Sequence, residues 1–386
     1  MTTWTDAVIY LDNAATSYPK PEAVYQALDR FARQSLANPG RAGHKMALAA
    51  ERELDECRHL LNQFFRGEGP ERFVFTLNCT DALNMAFKGV LADGDHVITT
   101  NLEHNSVSRP LRAMELAGRI TLTRVPADAG GTIDPDDIRK AIGPRTRLIA
   151  LTHASNVLGT VQPVAEVGRL AREHDLLFLV DAAQTAGVIP IDLQAMLIDL
   201  LAFPGHKSLL GPTGTGALYV GPRAQVRAWR EGGTGGDSAS ETQPREFPYF
   251  LEGGTPNVLG IAGLAAGVRY VQEQGLDAIH AHEVELTERL WRRLEEIGGY
   301  TVHGHREHAR RVGTLSFHSD TLPAAELGGI LDQAFEIAVR PGLHCAPYIH
   351  RALGTFPEGT VRVSPGPFST RDDIDQLARA LAEIKL

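Results

Sequence analysis

The chain has 386 residues, 43% of them hydrophobic and 22% charged, with a formal net charge of −9. That length suits two domains or one large domain with a smaller companion, and the composition is that of a soluble globular protein. The acidic balance argues against a general nucleic-acid binder, which carries a basic surface. Three widely separated cysteines, Cys57, Cys79 and Cys345, form no CxxC pair. Neither a disulfide framework nor a zinc ribbon is expected from them, and a reducing compartment is. The opening stretch MTTWTDAVIYLDN lacks the basic and apolar regions of a signal peptide. No apolar run nears the roughly 18 residues that cross a bilayer. The expectation is a cytoplasmic protein with no nucleic-acid or membrane partner.

In chain order, ALAAERELDECRHLLNQF (47–64) has a helical pattern and carries Cys57 on it as a buried structural thiol. Strand-like runs follow at 72–76, 96–100, 120–125, 147–153, 176–184 and 199–203. Helix-like stretches lie between them near 80–89, 104–117, 134–142 and 163–174. Asp134 is placed to cap the third of these, and Pro135 suits its first turn. Several of the strands are continuously apolar, as expected where helices cover both faces of a mainly parallel sheet. The fold class is therefore α/β. Glycine and proline cluster at 204–216 and 231–260, the second stretch reading as long ordered loops because it holds Phe247, Tyr249 and Phe250. A helix-rich stretch (257–297) comes next, then strands at 312–319, 336–340 and 360–364, with a helix at 323–334. A closing helix begins near 370, where Ser369 to Asp373 supplies a cap.

Chemistry concentrates at three places. LLFLVDAAQ puts Asp181 at the carboxyl end of an apolar strand, where open α/β sheets bind ligands. FPGHKSLLGPTGTG (203–216) puts His206 and Lys207 in a glycine-rich bend after the next strand. A lysine and a carboxylate in one crevice suit pyridoxal phosphate (PLP): the amine forms a Schiff base, and the carboxylate keeps the pyridine nitrogen protonated. The third place is RPGLHCAPYIHRALGT (340–355), where Cys345 reads equally as nucleophile, metal ligand or small apolar residue. HGHREH (303–308) lacks a carboxylate or cysteine partner at ligand spacing, so no metal is expected there.

These residues lie within a longer series of motifs. They are YLDNAAT (10–16), NCTDALN (78–84), EHNS (103–106), HASNVLGT (153–160), VDAAQ (180–184), GHK (205–207) with GPTGTG (211–216), LEGGTPN (251–257), RPGLHC (340–345) and VRVS (361–364). In order and spacing the series resembles the class V, fold type I PLP-dependent enzymes, and within them the cysteine desulfurase and selenocysteine lyase family, nearer its group II branch. The resemblance implies a large PLP-binding domain (15–260) and a smaller α+β domain (1–14 and 261–386) bearing the cysteine loop. It implies that Lys207 carries the cofactor, Asp181 faces the pyridine nitrogen, His104 stacks on the ring and Gln184 bonds its phenolic oxygen. The phosphate would meet Cys79, Thr80 and His206, with Thr255 reaching it from a second subunit, hence a homodimer. A helix start at Cys79 agrees with this, since free amides and the dipole favour a phosphate.

Asn156 and Arg362 would hold the substrate carboxylate, the arginine bidentately. Asn13, Ala14 and Arg340 are further substrate-side candidates. The implied reaction converts L-cysteine to L-alanine and passes the sulfur to Cys345 as a persulfide, then to an acceptor protein, a small thiol or an iron–sulfur assembly scaffold. Lys207, Cys345 and His104 would be catalytic. A free thiol has a pKa of about 8.5, so Cys345 needs help to ionise, and His344 is a candidate. Selenocysteine, cysteine sulfinate, or epimerase or transaminase chemistry on the same scaffold are the alternatives. One departure stands out: Pro204 replaces the serine common before Gly-His-Lys, which removes a hydroxyl and an N–H from the phosphate end.

Overall fold

The computed structural model describes residues 8–40, 43–234 and 239–385. A seven-stranded sheet dominates, in the order Phe73–Thr76, Gly216–Val220, Leu200–Pro204, Leu177–Asp181, Thr146–Thr152, Asp95–Thr100, Ile120–Val125. Only Gly216–Val220 runs against the others. Sequence patterning missed that strand, because the short run ALYV follows a glycine-rich bend and resembles its tail.

The sheet is buried on both faces, and the two-residue period of a strand sorts its side chains between them. Phe178, Val180, Leu201 and Phe203 pack towards the helices Lys45–Phe65, Val164–Glu173 and Val258–Gln274. Leu177, Leu179, Leu200 and Ala202 face the helices Cys79–Val90 and Asn105–Leu116. This is why the strands read as unbroken apolar runs. The same parity aims Asp181, the last residue of its strand, at the start of Cys79–Val90.

The second body is a four-stranded antiparallel sheet, ordered Arg340–Gly342, Thr360–Val363, Leu315–Ser319, Tyr300–His303. The single strand expected at 336–340 is two. Ile337–Ala338 pairs with Ile9–Tyr10 in parallel, while Arg340–Gly342 turns to pair with Thr360–Val363. Val361 and Val363 join the core with Leu290 and Leu377, so alternation turns Arg362 the other way, towards the large sheet. Helix Val258–Gln274 packs into the large core, whereas Leu276–Ile297 feeds the small one. Gly275, with φ of +83°, separates the two helices.

Local signals mostly form as read. Asp134 Oδ1 accepts from Asp136 N at 2.9 Å, with Pro135 in the first turn. Thr370 and Asp373 exchange hydrogen bonds in a capping box. Cys57 is fully buried, and burial pushes its thiol up to about 12. Among the described residues no helix is long and apolar enough to cross a membrane.

Phe65 closes the end of its helix and meets Phe203 and Phe64 at ring-centroid distances of 4.9 Å. Phe65→Ala should cost about 3–5 kcal/mol of stability through the cavity it leaves, measurable as a lower urea midpoint; an unchanged midpoint would show that the site collapses.

Candidate active site

A cavity of about 210 Å³ opens at the carboxyl ends of the parallel strands, lined among others by Cys79, Thr80, His104, Asn156, Asp181, Gln184, His206, Lys207 and Arg340. Strand pairing places Asp181 between Thr152 and Ala202. Its Oδ1 accepts from Ala183 N at 2.9 Å and from the Cys79 thiol at 3.5 Å. The second contact follows from strand parity and gives the Cys79 side chain a place in the site that its sequence alone did not suggest. Lys207 follows the neighbouring strand, after Gly205, where a Cβ would meet Thr215 Oγ1 at 2.3 Å. Thr16 and Ser17 hold the His206 carbonyl, and Ser17 Oγ also bonds the Lys207 carbonyl at 2.8 Å.

Burial sets the charges here. It lowers Lys207 from 10.5 to about 8, with Arg362 adding repulsion and Asp181 opposing, and it raises Asp181. It also holds His104 and His206 down at about 4, so both are neutral imidazoles. Ser106 N–H donates to His104 Nδ1 at 3.1 Å, which leaves the ring proton on Nε2.

At the other end of the cavity, Asn78 caps helix Cys79–Val90 by accepting from Asp81 N. The Cys79 and Thr80 amides keep no acceptor among the described residues, so they face the cavity as donors. The Thr80 and Ser106 hydroxyls pair at 2.7 Å beside them. Pro204 lines this region with no hydroxyl to offer. Glu103, quoted with its motif but given no role by the sequence, lies beneath. Its Oε1 accepts from Thr100 Oγ1 and Thr152 N, Oε2 has no partner, and burial raises it to about 8. It is a neutral acid that ties two strand ends together below His104.

The cysteine loop enters after strand Arg340–Gly342 of the four-stranded sheet. His344 and Cys345 both have left-handed backbones, with φ of 48° and 58°. Two successive non-glycine residues in that region store about 1–3 kcal/mol each. Tertiary bonds hold them: Asn156 Nδ2 to His344 O at 2.6 Å and Asn105 N to Cys345 O at 2.6 Å. His344 is not the group beside the thiol. Its Nε2 pairs with Thr360 Oγ1 at 3.0 Å and burial pushes it well below its usual range. Arg340 takes that place, with Nη2 3.6 Å from Cys345 Sγ.

Arg362 also departs from expectation. Its Nη2 pairs with Asp12 at 2.6 Å and its Nη1 donates to Asn156 O at 3.2 Å, which leaves the buried Nε as its unpartnered donor. The free bidentate fork is therefore already engaged. Asn13 is likewise occupied, by Ser364 O and Tyr18 N, while the Ala14 carbonyl accepts from Gln184. Thr255 stands apart, in a separate pocket of about 410 Å³ with Arg58 and Glu252. His303 stacks on His318, and His305 bonds Thr132 Oγ1; no group of three metal-ligating side chains occurs among the described residues.

A buried amine, a facing carboxylate and a helix start with free amides together define the site of a PLP-dependent fold type I enzyme. The sequence model of the aminotransferase class-V family matches residues 9–377. A probable cysteine desulfurase of Halalkalibacterium halodurans is 36% identical, with 98% of this chain and 93% of the relative covered. One of Methanothermobacter thermautotrophicus is 37% identical, with 97% and 94% covered. The apo structure of a cysteine desulfurase from Thermococcus onnurineus NA1 superposes with a TM-score of 0.92 at 33% identity, covering 98% of this chain and 94% of that one. The chain belongs to the class-V aminotransferase family, on its cysteine desulfurase branch.

Enzymes of this family use PLP, and the residues present fit it. Lys207 can carry the aldehyde, Asp181 can hold the ring nitrogen's proton, neutral His104 can lie on the ring, and the Cys79–Thr80 amides with Thr80 Oγ1 can take the phosphate.

The lowered Lys207 makes a signed prediction for the cofactor-free protein. Between pH 8 and 10.5 the unfolded chain still binds the proton that folded Lys207 has released, so this group's contribution to stability rises with pH. The wild-type minus Lys207→Met difference in unfolding free energy should grow by roughly 3 kcal/mol across that window. A flat difference in chemical denaturation would show that Lys207 is not desolvated.

Proposed function

We propose that the protein removes sulfur from L-cysteine, leaving L-alanine and a persulfide on Cys345 for onward transfer. The observation that carries this reading is the pinned thiol of Cys345, held beside the Arg340 guanidinium on a loop bonded to both Asn105 and Asn156. When bound, PLP supplies an electron sink for the pair left at the substrate Cα.

The chain's own groups do the rest. With the cofactor bound, Lys207 would be the group that takes the substrate Cα proton, and its pKa of about 8 keeps a usable share of neutral amine near neutral pH. Asp181 keeps the ring nitrogen's proton in place. Asn156, on the cavity wall, orients the substrate carboxylate, with Arg362 behind it bonded to Asn156 O. Cys345, with Arg340 Nη2 beside its sulfur, attacks the substrate sulfur. A sulfur–sulfur bond forms, the carbon–sulfur bond breaks, and Lys207 and His104 deliver the protons that complete alanine. Overall, cysteine and a thiol become alanine and a persulfide with no outside oxidant.

Thr255 faces away from its own cavity, which supports a role at the phosphate of a second subunit and hence a homodimer. Three free cysteines support a cytoplasmic home.

Lys207→Ala should lose the visible absorbance of bound cofactor together with all alanine formation. Cys345→Ala should keep that absorbance and lose sulfide release from L-cysteine; full activity in this variant rules out the persulfide. Arg340→Met should keep the cofactor absorbance and slow sulfide release from L-cysteine; an unchanged rate would show that the contact between Arg340 and Cys345 plays no part in the reaction.

A further inference from the structure

One groove leads away from the reacting thiol. It runs along helix Asn105–Leu116 beside Cys79–Val90, has a volume of about 630 Å³ and meets the cofactor cavity at His104 and Ser106. Cys345 lines this groove and is absent from the lining of the cavity. The floor is apolar at Ala113 and Met114, and every formally charged residue on the lining is basic: Lys88, Arg109 and Arg119. No aspartate or glutamate lines it, in a chain of net charge −9. Arg119 is engaged by Asp93, whereas Lys88 and Arg109 are exposed and form no ion pair among the described residues.

The loop adds a second constraint. Its backbone is bonded at both His344 O and Cys345 O, and its thiol is only partly exposed. These bonds hold the loop backbone in place, so a sulfur formed on Cys345 sits at the groove that the thiol lines. The acceptor has to come in along the groove.

We propose that this groove binds the sulfur acceptor, and that the acceptor is a small thiol bearing two or more carboxylates. The proposal rests on the persulfide reading of Cys345. Groove volume favours a small molecule, since such sites span about 300–1,000 Å³. The unpaired cations ask for carboxylates, and the apolar floor accepts the carbon skeleton. In the transfer, the acceptor thiolate attacks the outer sulfur of the persulfide. The bond between the two sulfurs breaks, its electron pair returns to Cys345 as thiolate, and the acceptor leaves as its own persulfide. No oxidant or reductant is consumed.

The test uses the full-length holoenzyme with L-cysteine, following alanine while either mercaptosuccinate or neutral 2-mercaptoethanol serves as acceptor. Mercaptosuccinate should half-saturate turnover at the lower concentration. Lys88→Ala and Arg109→Ala should each raise that concentration by about fivefold, the scale of one partly exposed charge pair. The value for 2-mercaptoethanol and the KM for L-cysteine should not move. Equal response of the two thiols overturns the proposal, as does a higher KM for L-cysteine, which would make the groove a substrate funnel. Dissociation of the variants on gel filtration also overturns it, assigning the groove to contact between copies. So does turnover that only an acidic carrier protein supports. Single-turnover alanine formation without any acceptor thiol separates these failures from failure of the desulfurase reading, because it tests the first step alone.

Discussion

Lys207 and Asp181 face one cavity, and burial pushes each towards its neutral form. An ammonium and a carboxylate are costly to keep in such a place unless something needs both. The seven-stranded sheet creates the place: six strands end at one edge, and helices on both faces keep it dry. The pairs Thr152–Asp181 and Asp181–Ala202 fix the carboxylate, and the bend at Gly205 returns the lysine to it. The lowered lysine is both the burden of this arrangement and its use, because a neutral amine is the form that carries an aldehyde and later takes a proton.

The four-stranded sheet reaches the same edge through polar contacts. Asp12, Arg362 and Asn156 form a chain of bonds between the N-terminal segment, the small sheet and the loop after strand Thr146–Thr152. Asn156 then holds His344 O, so the substrate-side network and the cysteine loop share a residue. The left-handed pair His344–Cys345 persists because these bonds over-determine it. A short, pinned loop aims its sulfur well and gives up reach, which is why the basic groove beside it matters.

Much of the fold was legible in the sequence, for a plain reason. Strands buried on both faces must be continuously apolar, and helix starts such as Asp134 and Thr370 carry their own caps. The elements that escaped notice lacked such local marks. Gly216–Val220 hides behind glycines, and the stretch at 336–340 changes sheet partner in mid-course. In the site, Asp181, Lys207, His104, Thr80 and Gln184 all line one cavity.

What the sequence determined by itself was the set of chemical groups and the order in which they occur, because motif residues and the two- and 3.6-residue periods are local properties. Tertiary structure alone decided which groups meet. Strand parity brought the Cys79 thiol to Asp181. The partner switch after Ala338 carried Arg340, rather than neighbouring His344, to Cys345. Asp12 engaged Arg362 across the whole length of the chain. Each of these is a contact between residues far apart in sequence or turned apart by the backbone, and no local pattern encodes where a side chain points once two sheets have packed.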